Sequence, residues 1–188
     1  MRIQLYHGTD FAIAQKIKDE GFIVKPNDEH WLGNGIYFYI DKSLAKWWTT
    51  NPSKKHGVRI QTPAIIEVAL KIEKERVLDL RKKSDFEKLL IWETEYRDNV
   101  LAYSKDSKIS AYKYRCGLFD DIFTRRQIDV IIGGFESIEQ PYIQEKMRVL
   151  LKKLKIAYTE LQVCVKFEKQ NDILIITGIN QAIENTEE

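Results

Sequence analysis

The chain has 188 residues, about the size of one ordinary domain, and its 30 Lys+Arg against 28 Asp+Glu leave a formal net charge of +2. Hydrophobic residues make up 44% and charged residues 31%, with eight Phe, nine Tyr and four Trp, which excludes disordered, collagen-like and coiled-coil chains. Cys116 and Cys164 are too few for a disulfide scaffold or a four-thiolate zinc site. No apolar run approaches the roughly 18 residues of a membrane span, and the start, Met1-Arg2-Ile3-Gln4-Leu5, lacks the apolar stretch of a secretory signal. These features predict one soluble, cytoplasmic domain over residues 1–188, with no membrane partner and a short acidic tail from about residue 180.

Residues 2–7 alternate Ile3, Leu5 and His7 against Arg2, Gln4 and Tyr6, the period of a strand. Asp10 is placed to cap a helix carrying Ile13 and Ile17, which Gly21 ends. Pro26, Asn27, Gly33, Asn34 and Gly35 make residues 24–35 a loop. Residues 36–40 read as a short aromatic strand, after which Asp41 or Ser43 caps a helix with Ala45, Trp47 and Trp48. Residues 50–59 are polar and predict a mobile connection. Ile66, Val68, Leu70 and Ile72 share one face of a strand over 64–72, and residues 77–80 form another.

Leu89, Leu90, Trp92 and Tyr96 predict a helix over 84–96, whereas residues 98–117 fit helix or loop equally. A short helix follows at 118–125, then a buried strand at 128–132 closed by Gly133-Gly134. Ile143, Met147, Leu150, Leu151 and Leu154 mark one helix face. Two strands end the chain, at 156–166 and 173–177. Many short strands with scattered helices predict an α+β fold, and the regular alternation of a doubly wound sheet is missing.

A phosphate-binding Gly-x-x-x-x-Gly-Lys loop, a dinucleotide fingerprint and a serine nucleophile elbow are all absent. His7, His30 and His56 fit no zinc spacing, so no metal is expected. Three segments stand out instead. Tyr6-His7-Gly8-Thr9 ends a strand with an imidazole and a glycine whose backbone a ligand can approach closely. Trp31-Leu32-Gly33-Asn34-Gly35-Ile36-Tyr37-Phe38 is a glycine turn entering an aromatic strand. The strand period of two puts Glu160, Gln162 and Cys164 on one side of the late strand. Lys152-Lys153, Lys155, Arg81-Lys82-Lys83 and Arg125-Arg126 read first as solvated faces.

In this order the segments resemble the ADP-ribosyltransferase superfamily, in the branch shared by poly-ADP-ribose polymerases and diphtheria toxin. The likeness rests on His7-Gly8-Thr9, on Gly35-Ile36-Tyr37-Phe38, on Ser43, Ala45 and Trp47-Trp48 just after, and on two later strands, Asp129-Val130-Ile131-Ile132-Gly133 and Gln162-Val163-Cys164-Val165-Lys166. It spans residues 3–166 and is nearest the bacterial toxin-like members.

The resemblance implies a split antiparallel sheet with an NAD⁺ cleft between its halves. It implies that His7 bonds a ribose hydroxyl, that the Gly8 backbone bonds the carboxamide, and that the Tyr37 ring stacks on the nicotinamide. Thr9, Gly35 and Ser43 join the NAD⁺-contacting set. On this reading the Tyr37 ring matters and its hydroxyl does not. The third catalytic position, often glutamate in the family, falls on Gln162, with Glu160 two residues earlier as the alternative. A glutamine there implies mono-transfer of ADP-ribose to an intracellular protein, RNA or DNA, with release of nicotinamide. A toxin of a toxin–antitoxin or phage-defence system, held by an antitoxin, is the implied setting. Two other classes stay open: a degenerate domain that binds NAD⁺ or ADP-ribose without chemistry, and a nucleic-acid-binding module.

Overall fold

The apolar alternations of the sequence become a single sheet, and the polar punctuation between them becomes helix caps and turns. The computed structural model describes residues 1–50, 60–103, 109–135, 145–154 and 159–182. Among these lie the strands β1 (Arg2–Asp10), β2 (Gly35–Tyr39), β3 (Pro63–Lys71), β4 (Val77–Asp79), β5 (Val130–Phe135), β6 (Thr159–Lys166) and β7 (Leu174–Gln181). The helices are α1 (Phe11–Glu20), α2 (Lys42–Thr50), α3 (Lys83–Tyr103), α4 (Ala111–Arg125), α5 (Glu145–Lys153) and the single turn α6 (Gln170–Ile173). The strands lie in the order β4-β5-β6-β2-β1-β3-β7. Only β4 and β5 are parallel, so the fold is α+β with a mostly antiparallel open sheet.

One face of this sheet carries a core that runs across both halves. Leu5, Ile36, Phe38, Ile66, Val68, Leu70, Val130, Ile132, Val163 and Val165 meet Ala14 and Ile17 of α1 there. The other face is divided. Helices α3, α4 and α5 cover Leu78, Ile131 and Cys164 with Phe86, Leu89, Leu118, Phe119, Ile122, Leu150 and Leu151. Helix α2 covers Tyr39 and Ile65 through Ala45. The space between these two helical layers lies over the middle of the sheet, where β1 meets β2.

That junction is short. β1 and β2 pair at Tyr6 and Tyr39. Continuing the register would set His7 against Phe38 and Gly8 against Tyr37, and the ladder does not continue, whereas β1 pairs β3 along its whole length from Arg2 to Asp10. Beyond Tyr6 the β2-side edge of β1 therefore has no strand ladder.

Local signals explain most element ends. The Asp10 carboxylate accepts the Ala12 amide at 3.0 Å and so caps α1, and Gly21 ends that helix at φ 84°. The second oxygen of Asp10 accepts the amides of Gln61 and Thr62, which ties the start of β3 to the same cap. Asp41 accepts the Ser43 amide at 2.7 Å at the start of α2, so Asp41 and not Ser43 is the cap.

Several expectations are corrected. Ile13 is 45% exposed and Ala14 takes its place beside Ile17 in the core. Residues 111–117 are helical and extend α4 backward, capped by Ser110 through the Lys113 amide. The strand at 130–135 runs through Gly133 and Gly134 and does not stop at them. Residues 50–59, 98–117, 143 and 156–158 of the sequence-based assignment fall partly or wholly outside the described residues, as does most of the acidic tail.

Position in the sheet sets the cost of truncation. Ile131→Ala, on an internal strand at 0% exposure, is expected to lower stability by about 2–5 kcal/mol. Ile175→Ala, 58% exposed on the outer strand β7, is expected to change it by less than about 0.5 kcal/mol. Urea unfolding of both variants checks the contrast; equal losses would place the core elsewhere.

Candidate functional site

A cleft of about 720 Å³ opens at the β1–β2 junction. That size is within the roughly 300–1,000 Å³ of small-molecule sites. His7 and Gly8 line it from β1, Tyr37, Phe38 and Tyr39 from β2, and Gln162 from β6. Trp48 of α2 forms one wall, and Asn27, Glu29, His30 and Trp31 of the loop before β2 form the other. The sheet thus brings together four residues that the sequence singles out, His7, Gly8, Tyr37 and Gln162, from three strands.

His7 bridges the gap itself. Its Nδ1 lies 2.8 Å from the Tyr37 carbonyl oxygen. A carbonyl only accepts, so Nδ1–H donates and the tautomer leaves Nε2 as an acceptor. The ring packs edge-on against Phe22 and Phe38, with centroids 5.3 and 5.8 Å away. Burial pushes the imidazole pKa below 6.5, partly opposed by the bond to the Tyr37 carbonyl, so the ring is neutral at physiological pH.

Gly8 has no room for a side chain. A Cβ there would lie 2.4 Å from the Ala45 carbonyl oxygen, so α2 rests directly on the backbone of β1.

The hydroxyl of Tyr37 has a role that the resemblance did not suggest. It accepts the Leu32 amide at 2.7 Å and donates to the Gly33 carbonyl at 2.8 Å, closing the turn that precedes its own strand. Burial raises its pKa well above 10, so it stays a donor. Gly33 holds φ 86° in that turn, and a Cβ would come within 2.7 Å of Asp120. The Asp120 carboxylate receives the Asn34 backbone amide at 2.6 Å and its side-chain amide at 2.8 Å, which fastens the turn to α4.

Gln162 sits opposite Tyr39 in the β2–β6 register, and Cys164 opposite Tyr37. The indole N–H of Trp31 donates to Gln162 Oε1 at 3.0 Å, which fixes the orientation of the amide because an indole can only donate. Gln162 Nε2 reaches the Tyr39 hydroxyl at 3.5 Å, the limit of a hydrogen bond. Trp31 is held from behind by Arg115, whose guanidinium lies 5.6 Å from the Trp31 ring and 5.4 Å from that of Tyr112, and donates to the Leu154 carbonyl.

Thr9, Gly35 and Ser43 are not among the residues that line the cleft. Thr9 is buried in β1 beside Ala64, and Gly35 is packed where a Cβ would meet Cys164 Sγ at 2.6 Å. Ser43 is exposed on the first turn of α2, with its amide bonded to Asp41. Glu160 lies on β6, and its side chain falls outside the described ones. Cys164 is fully buried and its thiol pKa is raised by burial, so it is no nucleophile. Cys116, behind the turn, has a thiol pushed up to about 12. Among the described residues no group of three or more His, Cys, Asp or Glu side chains is placed to hold a metal ion.

Sequence reasoning missed the loop wall. Trp31 was visible only as part of a glycine turn, and Glu29, His30 and Asn27 carried no periodic signal. Arg115 lay in the stretch that fitted helix or loop equally.

A relative of this chain is the uncharacterized protein MJ0359 of Methanocaldococcus jannaschii, 39% identical over 83 residues, which is 44% of this chain. The match spans 39% of that protein's length. No family model and no solved structure matches the chain. No helix among the described residues is long and apolar enough to cross a membrane.

Two predictions follow from this geometry. Tyr37→Phe strands the Leu32 amide and the Gly33 carbonyl, and is expected to cost about 1–3 kcal/mol in urea unfolding; a neutral result would show that the turn does not need the hydroxyl. The depressed pKa of His7 makes the unfolded chain bind more protons below pH 6.5. Stability from this group is complete above about pH 6.5 and is lost as pH falls toward the folded pKa. His7→Gln is expected to flatten the unfolding midpoint across that window, and an unchanged slope would remove His7 as its source.

Proposed function

We propose that the chain is a mono-ADP-ribosyltransferase that breaks the bond between nicotinamide and ribose in NAD⁺ and passes ADP-ribose to a macromolecule. The observation that carries this reading is the convergence of His7, Gly8, Tyr37 and Gln162 on one cleft at the junction of β1 and β2. These are the positions the family resemblance selects, and they are 155 residues apart at the extremes of the chain segment they span (162 − 7).

The chemistry of each group suits the role. The neutral His7 presents Nε2 as an acceptor for a ribose hydroxyl, because Nδ1–H is committed to the Tyr37 carbonyl. The unladdered edge of β1 at Gly8 offers backbone groups for a carboxamide, with no side chain in the way. The aromatic lining of His30, Trp31, Tyr37, Phe38, Tyr39 and Trp48 suits a flat cationic ring. Cleavage moves the bonding electron pair onto the ring nitrogen and leaves positive charge on the sugar. A split sheet with the cleft between its halves is the arrangement this reading assigns to the junction at Tyr6 and Tyr39.

Gln162 carries no charge, and its oxygen is already engaged by Trp31. That favours a single transfer over chain growth, and it also supports the second reading, an NAD⁺-binding domain without chemistry. The toxin role and an antitoxin partner rest on the resemblance alone.

The test is to incubate the protein with NAD⁺ labelled in the adenosine and a cell lysate, measuring free nicotinamide and macromolecular label. Aliquots treated with protease, RNase or DNase name the acceptor class. His7→Ala is expected to cut nicotinamide release by roughly 100-fold, the scale of removing one preorganised polar contact. Saturable NAD⁺ binding with no release would favour the binding-only reading, and neither would sink both.

A further inference from the structure

We propose that Glu29 is the general base of the transfer step, taking the proton from the acceptor nucleophile. This rests on the transferase reading and adds a residue to it.

Among the described residues, Glu29, an exposed residue of the loop before β2, is the one acidic residue that lines the cleft. Two groups that the family resemblance offers, Gln162 and His7, are otherwise occupied. Gln162 has no basic atom, and its amide oxygen accepts from Trp31. His7 has Nδ1 tied to the Tyr37 carbonyl, and its Nε2 is assigned to a ribose hydroxyl of NAD⁺, so it holds the sugar. A glycosyl transfer needs a base on the acceptor side of the sugar, and a carboxylate is a common choice.

The loop that carries Glu29 is fixed by side-chain bonds. The Glu29 amide donates to Asn27 Oδ1 at 2.8 Å, and the Asn27 amide donates to Asn34 Oδ1 at 2.8 Å. Asn34 in turn is clamped by Asp120 of α4. Glu29 therefore stands on the same support as the turn closed by the Tyr37 hydroxyl. The neighbouring acid, Asp28, is drawn away by Lys113 at 2.9 Å, while among the described residues no ion pair holds Glu29. Glu29 lies near both Lys113 and Arg115, the residue stacked on Trp31, and its charge acts on both.

The step balances without a further reactant. A lone pair on the acceptor oxygen or nitrogen forms the bond to C1′ of the ribose. The C1′–nitrogen bond to nicotinamide breaks with its electron pair passing to the ring, which leaves neutral. The proton displaced from the acceptor goes to the Glu29 carboxylate. The acceptor is thus a hydroxyl or N–H nucleophile with a proton to lose.

Glu29→Gln and Glu29→Ala, made in the full chain, test this with labelled NAD⁺ and lysate as the acceptor source. Transfer is expected to fall about 100-fold in both, with the Kd for NAD⁺ within about threefold of the parent. Added formate is expected to restore transfer by Glu29→Ala several-fold and to leave Glu29→Gln unchanged, a response that a merely structural role would not give. Transfer by Glu29→Gln within threefold of the parent would overturn the proposal. So would a loss matched by weaker NAD⁺ binding, or a Glu29→Ala variant that formate does not help. If the unaltered protein releases no nicotinamide, the transferase reading fails first and this role falls with it; release by the parent with Glu29 indifferent sinks the role of Glu29 alone.

Discussion

The hydrogen bond from His7 Nδ1 to the Tyr37 carbonyl is the constraint on which the site depends. β1 and β2 part after Tyr6 and Tyr39, and a carbonyl at the mouth of a gap would otherwise be left to solvent. The imidazole takes the place of the missing ladder bond and spans the two strands. One contact thereby sets three things. It limits how far the halves of the sheet separate on that side, it fixes the histidine tautomer, and it leaves Nε2 free to accept. Burial between Phe22 and Phe38 keeps the ring neutral, which preserves that arrangement at physiological pH.

Around this contact the molecule divides rigid and reactive duties. A continuous core on one face holds both halves of the sheet, so the gap does not weaken the fold. On the other face two helical layers leave space above the junction. The Tyr37 hydroxyl, the Asp120 carboxylate and the Arg115 guanidinium are engaged with the protein itself. They hold the turn and Trp31, and through Trp31 the amide of Gln162. The Tyr37 hydroxyl and the Asp120 carboxylate have their partners inside the protein, the condition under which buried polar networks confer order.

The sequence revealed the strands better than the walls of the cleft. Alternation at Ile66, Val68, Leu70 and Ile72 located β3, and Asp10 with Gly21 located both ends of α1, because these signals are local. The motif residues His7, Gly8 and Tyr37 were legible because their spacing along the chain is specific. Ser43, Thr9 and Gly35 were carried along by adjacency, yet Thr9 is buried beside Ala64, Gly35 is packed against Cys164, Ser43 is exposed on α2, and none of the three is among the residues lining the cleft. Glu29, His30 and Trp31 were illegible as site residues. Their placement depends on Asn27, Asn34 and Asp120, and the last of these is 86 residues from Asn34 in sequence. The part of the Tyr37 hydroxyl in the turn was illegible for the same reason, since its partners are backbone groups of the turn.

The central claim is that the gap between β1 and β2 receives NAD⁺. A crystal structure with a carbocyclic NAD⁺ analogue, in which the nicotinamide bond cannot break, tests it most directly. The account places the nicotinamide ring beside Tyr37 with its carboxamide at the Gly8 backbone, and a hydroxyl of the attached ring at His7 Nε2. An analogue bound elsewhere on the molecule, with this cleft closed to it, would contradict the account.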